Sequence, residues 1–218
     1  MFQKRRFLNS IFIDLDGPIL DVSERHYLVY RKIIEELKGT PLSKGRYWNL
    51  KKSKIALSKI LTLSDLRDKE AIFMDRWLYL IERRSFLIYD RILPETDRIL
   101  DYLRNNYRLI LVTLRRSGNN LVWQLKKIGI RDKFSSVLYP KNLSSDNDRY
   151  IKYELIKNNR YLKSDSWIIG DTEIDISLGK KLRINTIAVL SGIRNKKYLL
   201  KYKPDVVLNS LKEITKIL

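Results

Sequence analysis

The chain is constrained most by an alternation. Short runs rich in Ile, Val and Leu recur along it, each closed by a polar or glycine-containing break and followed by helically spaced apolar residues. The runs are Ser10 to Asp14, Leu109 to Thr113, Ser136 to Tyr139, Trp167 to Gly170, Thr186 to Leu190 and Asp205 to Leu208. Helices are predicted over Glu95 to Asn105, Asn119 to Ile128, Tyr150 to Asn158, Ile174 to Leu182 and Leu211 to Ile217. Strands and helices that alternate in this way build a parallel sheet covered on both faces. An α/β fold with a Rossmann-like sheet is therefore expected, with ligands bound beyond the carboxyl ends of its strands.

One interval interrupts the pattern. Between Val22 and Arg91 only helical spacing is visible, as in Tyr27, Tyr30, Ile33, Ile34 and Leu37, then Ile72, Phe73, Trp77, Leu80 and Ile81. Gly39-Thr40-Pro41 reads as the stop of the first helix. Two domains are expected: a core of residues 1–21 and 92–218, and an all-helical cap of residues 22–91.

Composition narrows the chemistry. The chain has no cysteine and one histidine, which excludes a disulfide framework, a thiolate zinc site and a cysteine nucleophile. Carboxylates, hydroxyls or lysine must carry any reaction. No stretch is long and apolar enough to span a bilayer, and no signal peptide is recognised, so a cytoplasmic protein is expected. The net charge of +19 points to an anionic partner, nucleic acid included. It is spread through both parts, however, and the longest basic run is Lys4-Arg5-Arg6. Scarce Ala and Gly beside abundant Lys, Ile and Asn also fit an AT-rich coding sequence.

The first strand runs into Asp14-Leu15-Asp16-Gly17-Pro18-Ile19-Leu20-Asp21. Two carboxylates at i and i+2 past an apolar strand can converge on one site. One, already ionised near neutrality, can attack phosphorus, and the other can donate or accept the proton. An Asp-Gly turn after a buried strand uses the same residues. Thr113 closes the second strand, where its hydroxyl and the following amides can hold a phosphoryl oxygen. After Trp167-Ile168-Ile169-Gly170, Asp171 and Asp175 stand four apart at a helix start, suited to a hard divalent cation or to the helix N-terminus. Lys152 opens the preceding helix and can reach the same edge.

Together these segments resemble motifs I to IV of the haloacid dehalogenase superfamily: DLDGPILD at 14–21, Thr113, Lys152, and Gly170-Asp171 with Asp175. Their order agrees, as does the helical insert between motifs I and II. Pro204-Asp205-Val206-Val207-Leu208 with the segment after it is similar to the closing strand and helix of phosphoglycolate-phosphatase-like members. The resemblance implies Asp14 as nucleophile and Asp16 as general acid/base. It also implies Mg²⁺ held by the Asp14 carboxylate, the Asp16 carbonyl and Asp171, with Asp175 helping, and the phosphoryl group bound by Thr113 and Lys152. Members that cleave carbon–halogen bonds lack the second acid, so phosphate-ester hydrolysis is implied. Pro18 departs from the family, where most phosphatases carry Thr, and removes a hydroxyl and a backbone donor.

Specificity is expected from the cap. His26 lies where related sugar-phosphate mutases carry a histidine near the site. The stretch Ser43 to Asn49 reads as a basic and aromatic loop whose Lys44 and Arg46 could meet a second anionic group. Arg115 and Arg116 are placed at the pocket rim, to bind an anion or pair with cap acids. The expected substrate is a small phosphorylated anion, phosphoglycolate-like or a sugar phosphate, and the protein a monomer or homodimer. The rivals are a phosphosugar mutase of the same fold, and a nucleic-acid-binding protein or nucleic-acid-end phosphatase built on it.

Overall fold

The computed structural model describes residues 9–141 and 147–218. The Lys4-Arg5-Arg6 run lies outside the described residues. Six strands form one parallel sheet: β1 (Ser10–Ile13), β4 (Arg108–Val112), β5 (Ser136–Leu138), β6 (Trp167–Gly170), β7 (Asn185–Val189) and β8 (Val206–Leu208). Their order is β5-β4-β1-β6-β7-β8. β1 is central, with Ile13 opposite Leu111 on one side and Ile169 on the other.

Alternation along each strand sorts the core into two layers. Ile11, Ile13, Leu109 and Leu111 face α6 (Thr96–Asn106) and α7 (Gly118–Lys127). Phe12, Ile110 and Ile168 face α8 (Asp148–Lys157) and α9 (Glu173–Leu182). With both faces covered, β1 is buried throughout. A short α10 (Lys196–Leu199) precedes β8. The closing segment Leu211–Lys216 is a 3₁₀ helix rather than the expected α-helix. Its buried residues, Leu211 and Ile214, are three apart, the spacing that 3₁₀ winding brings into line.

The chain leaves the core through β2 (Leu20–Asp21) and returns through β3 (Arg91–Ile92), which pair antiparallel. Between them run α1 (Ser23–Glu36), α2 (Lys44–Lys52), α3 (Leu57–Thr62), α4 (Glu70–Leu80) and α5 (Arg84–Leu87). These helices have an interior of their own, in which Tyr30 of α1 stacks on Tyr47 of α2 at 4.1 Å beside Ile33, Leu61 and Phe73. Ile72, expected on the inner face of α4, is instead exposed, because Phe73 and Leu80 set the buried side. The stop of α1 also differs. Lys38, not Gly39, takes the left-handed conformation, while a Cβ at Gly39 would press on the Ser64 carbonyl. The loop expected over Ser43 to Asn49 is the N-terminal part of α2, with the Ser43 hydroxyl accepting from the Arg46 N–H. No helix among the described residues is long and apolar enough to cross a membrane.

Candidate active site

The sheet places its chemistry one residue past the strands. Asp14 follows β1, its N–H still donating to the Ile169 carbonyl at 2.9 Å. Its carboxylate accepts from the Leu15 N–H at 2.8 Å. Thr113 follows β4, buried, with its N–H on the Leu138 carbonyl. Asp171 follows β6 and accepts from the Ile193 N–H at 2.5 Å. Lys152, buried on α8, donates to Asp175 at 2.6 Å and lies 3.2 Å from Asp14. A Cβ at Gly17 (φ 101°) or Gly192 would overlap the Asp171 carboxylate, so two glycines let the backbone close around it.

Asp14, Asp171 and Asp175 each offer an oxygen, all within 4.8 Å of one another. Among the described residues Lys152 alone pairs with this cluster, so with all three carboxylates ionised two negative charges are in excess. Asp171 Oδ1 is buried and has no hydrogen-bond partner. Burial pushes Asp14 up to about 7 despite Lys152, and burial with the nearby Asp14 and Asp175 charges drives Asp171 well above the usual carboxylate range. Burial works against the Lys152 charge, but Asp14 and Asp175 outweigh it and hold that proton on. Hard oxygen donors, an orphaned buried oxygen and a deficit of two positive charges fit a divalent cation. Asp175 also has a helix role. Its Oδ2 closes a capping box with Thr172 at the start of α9, while its Oδ1 meets Lys152.

Asp16, two residues on, is in the opposite condition. Arg115 grips it through Nε at 3.0 Å and Nη2 at 2.6 Å, and Arg25 of α1 adds a third bond at 2.8 Å. Both arginines also reach Asp90, at 2.8 and 3.1 Å, and Gln124 joins Arg115 to Asp90. Burial opposes the Asp16 charge, but the guanidiniums of Arg115 and Arg25 win and hold its carboxyl well below the usual range. Arg115 is therefore not a free anion-binding group at the rim. Its fork is committed to Asp16, Asp90 and Gln124.

A cavity of about 330 Å³ lies over these groups, lined by Asp14, Asp16, Thr113, Lys152, Arg115 and His26, among others. His26 packs edge-on against Trp48 and Trp77, and burial and Lys51 hold its pKa well below the ordinary value. Three expected contributors are not brought there. Lys44 is exposed and paired with Glu24 at 2.5 Å, and Arg46 is exposed on the same helix, because α2 turns both away from the cavity. Arg116 is exposed, with its backbone N–H on Glu82. Unforeseen are Arg25, Asp90 and Gln124, and also Arg194, which pairs with Glu173 and donates to the Lys51 carbonyl. Arg25 had one readable signal: it stands in the apolar stripe of Val22, Val29 and Ile33.

Residues 11–189 match the model of the haloacid dehalogenase-like hydrolases, and the chain belongs to that family. Its fold is shared with a haloacid dehalogenase-like hydrolase of Streptococcus pneumoniae, at 18% identity and TM-score 0.77, covering 95% of this chain and 97% of that one. A predicted phosphoglycolate phosphatase of Haemophilus somnus, 18% identical, gives 0.75 over 98% and 99%. A candidate β-phosphoglucomutase of Thermotoga maritima, 14% identical, gives 0.69 over 97% and 100%. No curated protein matches the chain.

Proposed function

We propose that this hydrolase cleaves a small phosphomonoester with Mg²⁺, through an aspartyl-phosphate on Asp14, and that residues 22–91 act as a cap over a core of 1–21 and 92–218. The observation that carries the reading is the carboxylate cluster, two charges short of neutral and with Asp171 Oδ1 unpartnered. Asp14, Asp171 and the Asp16 carbonyl would hold the ion, with Asp175 helping. When bound, Mg²⁺ supplies charge neutralisation for the carboxylates and for the phosphate brought against them.

An Asp14 oxygen attacks phosphorus and the bond to the leaving alcohol oxygen breaks. Thr113 and the Lys152 ammonium take the phosphoryl oxygens. Water then attacks the aspartyl-phosphate, and the bond between phosphorus and the Asp14 oxygen breaks. Clamped by two arginines, Asp16 is ionised and suited to accept the proton of that water. To donate a proton to the leaving alcohol it must first be protonated away from the clamp. The cap excludes water while the phosphoryl group transfers. The reading places the enzyme in the cytoplasm, acting as a monomer or homodimer.

The test is phosphate release from para-nitrophenyl phosphate and a panel of phosphorylated metabolites. Release that needs Mg²⁺ and is lost in Asp14→Asn is expected. Activity indifferent to either sinks the reading, and isomer formation without phosphate release would instead identify a mutase.

A further inference from the structure

The catalytic cavity adjoins a second one, of about 430 Å³, lined by the helical unit and by Asp148, Ile193 and Arg194 of the core. Lys54, Trp77, Asp148, Ile193 and Arg194 line both. The second cavity has an apolar wall that includes Ile55, Leu57, Ile60, Phe73 and Met74. Ile55 and Met74 are 38% and 41% exposed, and large apolar side chains left open along a cavity mark a surface for a ligand. No Asn, Gln, Ser or Thr side chain lines it, and Tyr47 and Trp77 are its neutral side chains with a polar atom, fewer than a sugar's ring of hydroxyls calls for.

Its cations are not equivalent. Lys54 and Arg194 are both engaged by Glu173, at 3.0 and 2.8 Å. Lys51 has no carboxylate within ion-pair distance among the described residues. Its ammonium meets His26 Nδ1 at 3.4 Å and lies 4.5 Å from the centre of the Trp77 ring. Burial, with the Arg194, Lys54 and Arg25 charges, lowers its pKa to about 7, a cost that a bound anion would relieve.

We propose that the second cavity receives the alcohol part of the ester, and that this part is a flat apolar or aromatic group bearing a carboxylate that Lys51 meets. The proposal rests on the phosphomonoester reading above and narrows it, away from phosphoglycolate and sugar phosphates. Those esters would occupy the first cavity and leave the apolar wall in water. The Trp77 ring, common to both cavities, would lie along the aromatic ring, as aromatic side chains stack.

Kinetics of the full chain with Mg²⁺ on 4-carboxybenzyl phosphate, benzyl phosphate, glucose 6-phosphate and phosphoglycolate test this, the benzylic esters being chosen as alkyl phosphates. The carboxybenzyl ester should lead in kcat/KM, by about tenfold over benzyl phosphate, and Lys51→Met should erase that difference. Lys51 sits in a packed cluster, so Met74→Glu at an exposed position provides a second arm. It should lower the kcat/KM ratio of the carboxybenzyl ester to phosphoglycolate by about tenfold. Glucose 6-phosphate or phosphoglycolate as the best ester, with that ratio unmoved by Met74→Glu, overturns the proposal and leaves the hydrolase reading standing. No Mg²⁺-dependent release from any ester overturns the hydrolase reading instead. The cavity is then read by calorimetry with 4-(hydroxymethyl)benzoate: binding that Met74→Glu weakens supports the assignment, and no binding by the unmodified chain ends it.

Discussion

Two clusters of buried charge flank the loop after β1, and they are solved differently. Around Asp14, three carboxylates share one lysine. Around Asp16, two carboxylates share two arginines, each arginine touching both acids. The second cluster is neutral and its hydrogen bonds close on themselves. The first is incomplete by two charges. A folded chain tolerates such a deficit by keeping protons on the acids or by binding a cation, so imbalance, rather than burial, marks the end proposed to react. Asp14 and Asp16 lie two residues apart, yet one is pushed up to about 7 and the other held well below the usual carboxylate range.

The contrast is broken most severely at Asp14. Asp14→Asn should lower phosphate release by about 10⁴-fold while the melting temperature of the metal-free protein holds or rises, because a buried carboxyl whose ionisation the fold opposes is gone. A fall in both would show that Asp14 is a structural group. Arg115→Met should do the reverse. It leaves Asp16 and Asp90 sharing one cation, and a urea titration should register a loss of about 3–5 kcal/mol. Mg²⁺ sharpens the comparison next. At a hundredfold excess over its dissociation constant it should stabilise the chain by about 2.7 kcal/mol, and Asp171→Asn should remove most of that gain.

Acidity gives a smaller effect of predictable sign. Asp14 keeps its proton in the folded protein to about pH 7 but loses it near 3.8 when unfolded. Across that window the native state binds more protons, so the metal-free protein should become less stable as pH rises, and Mg²⁺ should flatten the slope. Asp16 runs the other way. Its contribution is present above its unfolded pKa and fades as pH falls below it. Melting temperatures at pH 3, pH 5 and pH 8, with and without Mg²⁺, check both signs, the lower interval reading Asp16 and the upper one Asp14. The smallest effect expected is that of Pro18→Thr. It restores a hydroxyl and a backbone donor beside Asp16 and should change kcat a few-fold without abolishing it.

What could be read from the sequence follows from the range of each signal. The sheet was legible because its strands are continuous apolar runs. The structure ends β1 and β4 one residue before the expected limits, which is why Asp14 and Thr113 stand free at the edge. β2 and β3 were not visible, since two-residue strands carry no period. Lys44 and Arg46 were assigned from a basic and aromatic composition, which says nothing about direction. The Ser43 cap makes that stretch a helix, and the helix turns them outward. The arginine clamp joins Asp16, Arg25, Asp90 and Arg115 across a fold of the chain, so no local spacing announces it. Only the placement of Arg25 within an apolar stripe did.

The two-strand stem has a consequence for how such a chain can change. Leu20 pairs with Ile92 and Asp21 with Arg91, so the helical unit departs and returns at neighbouring points. To the sheet, the whole excursion is one elongated hairpin turn, and its length does not set the position of Asp14 or Thr113. An insertion, a deletion or a grafted helical pair on that stem leaves the strand order as it is. The carboxyl edge then works as a socket: the groups proposed to react are inherited with the sheet, and the helical unit proposed to meet the rest of the substrate can diverge on its own schedule.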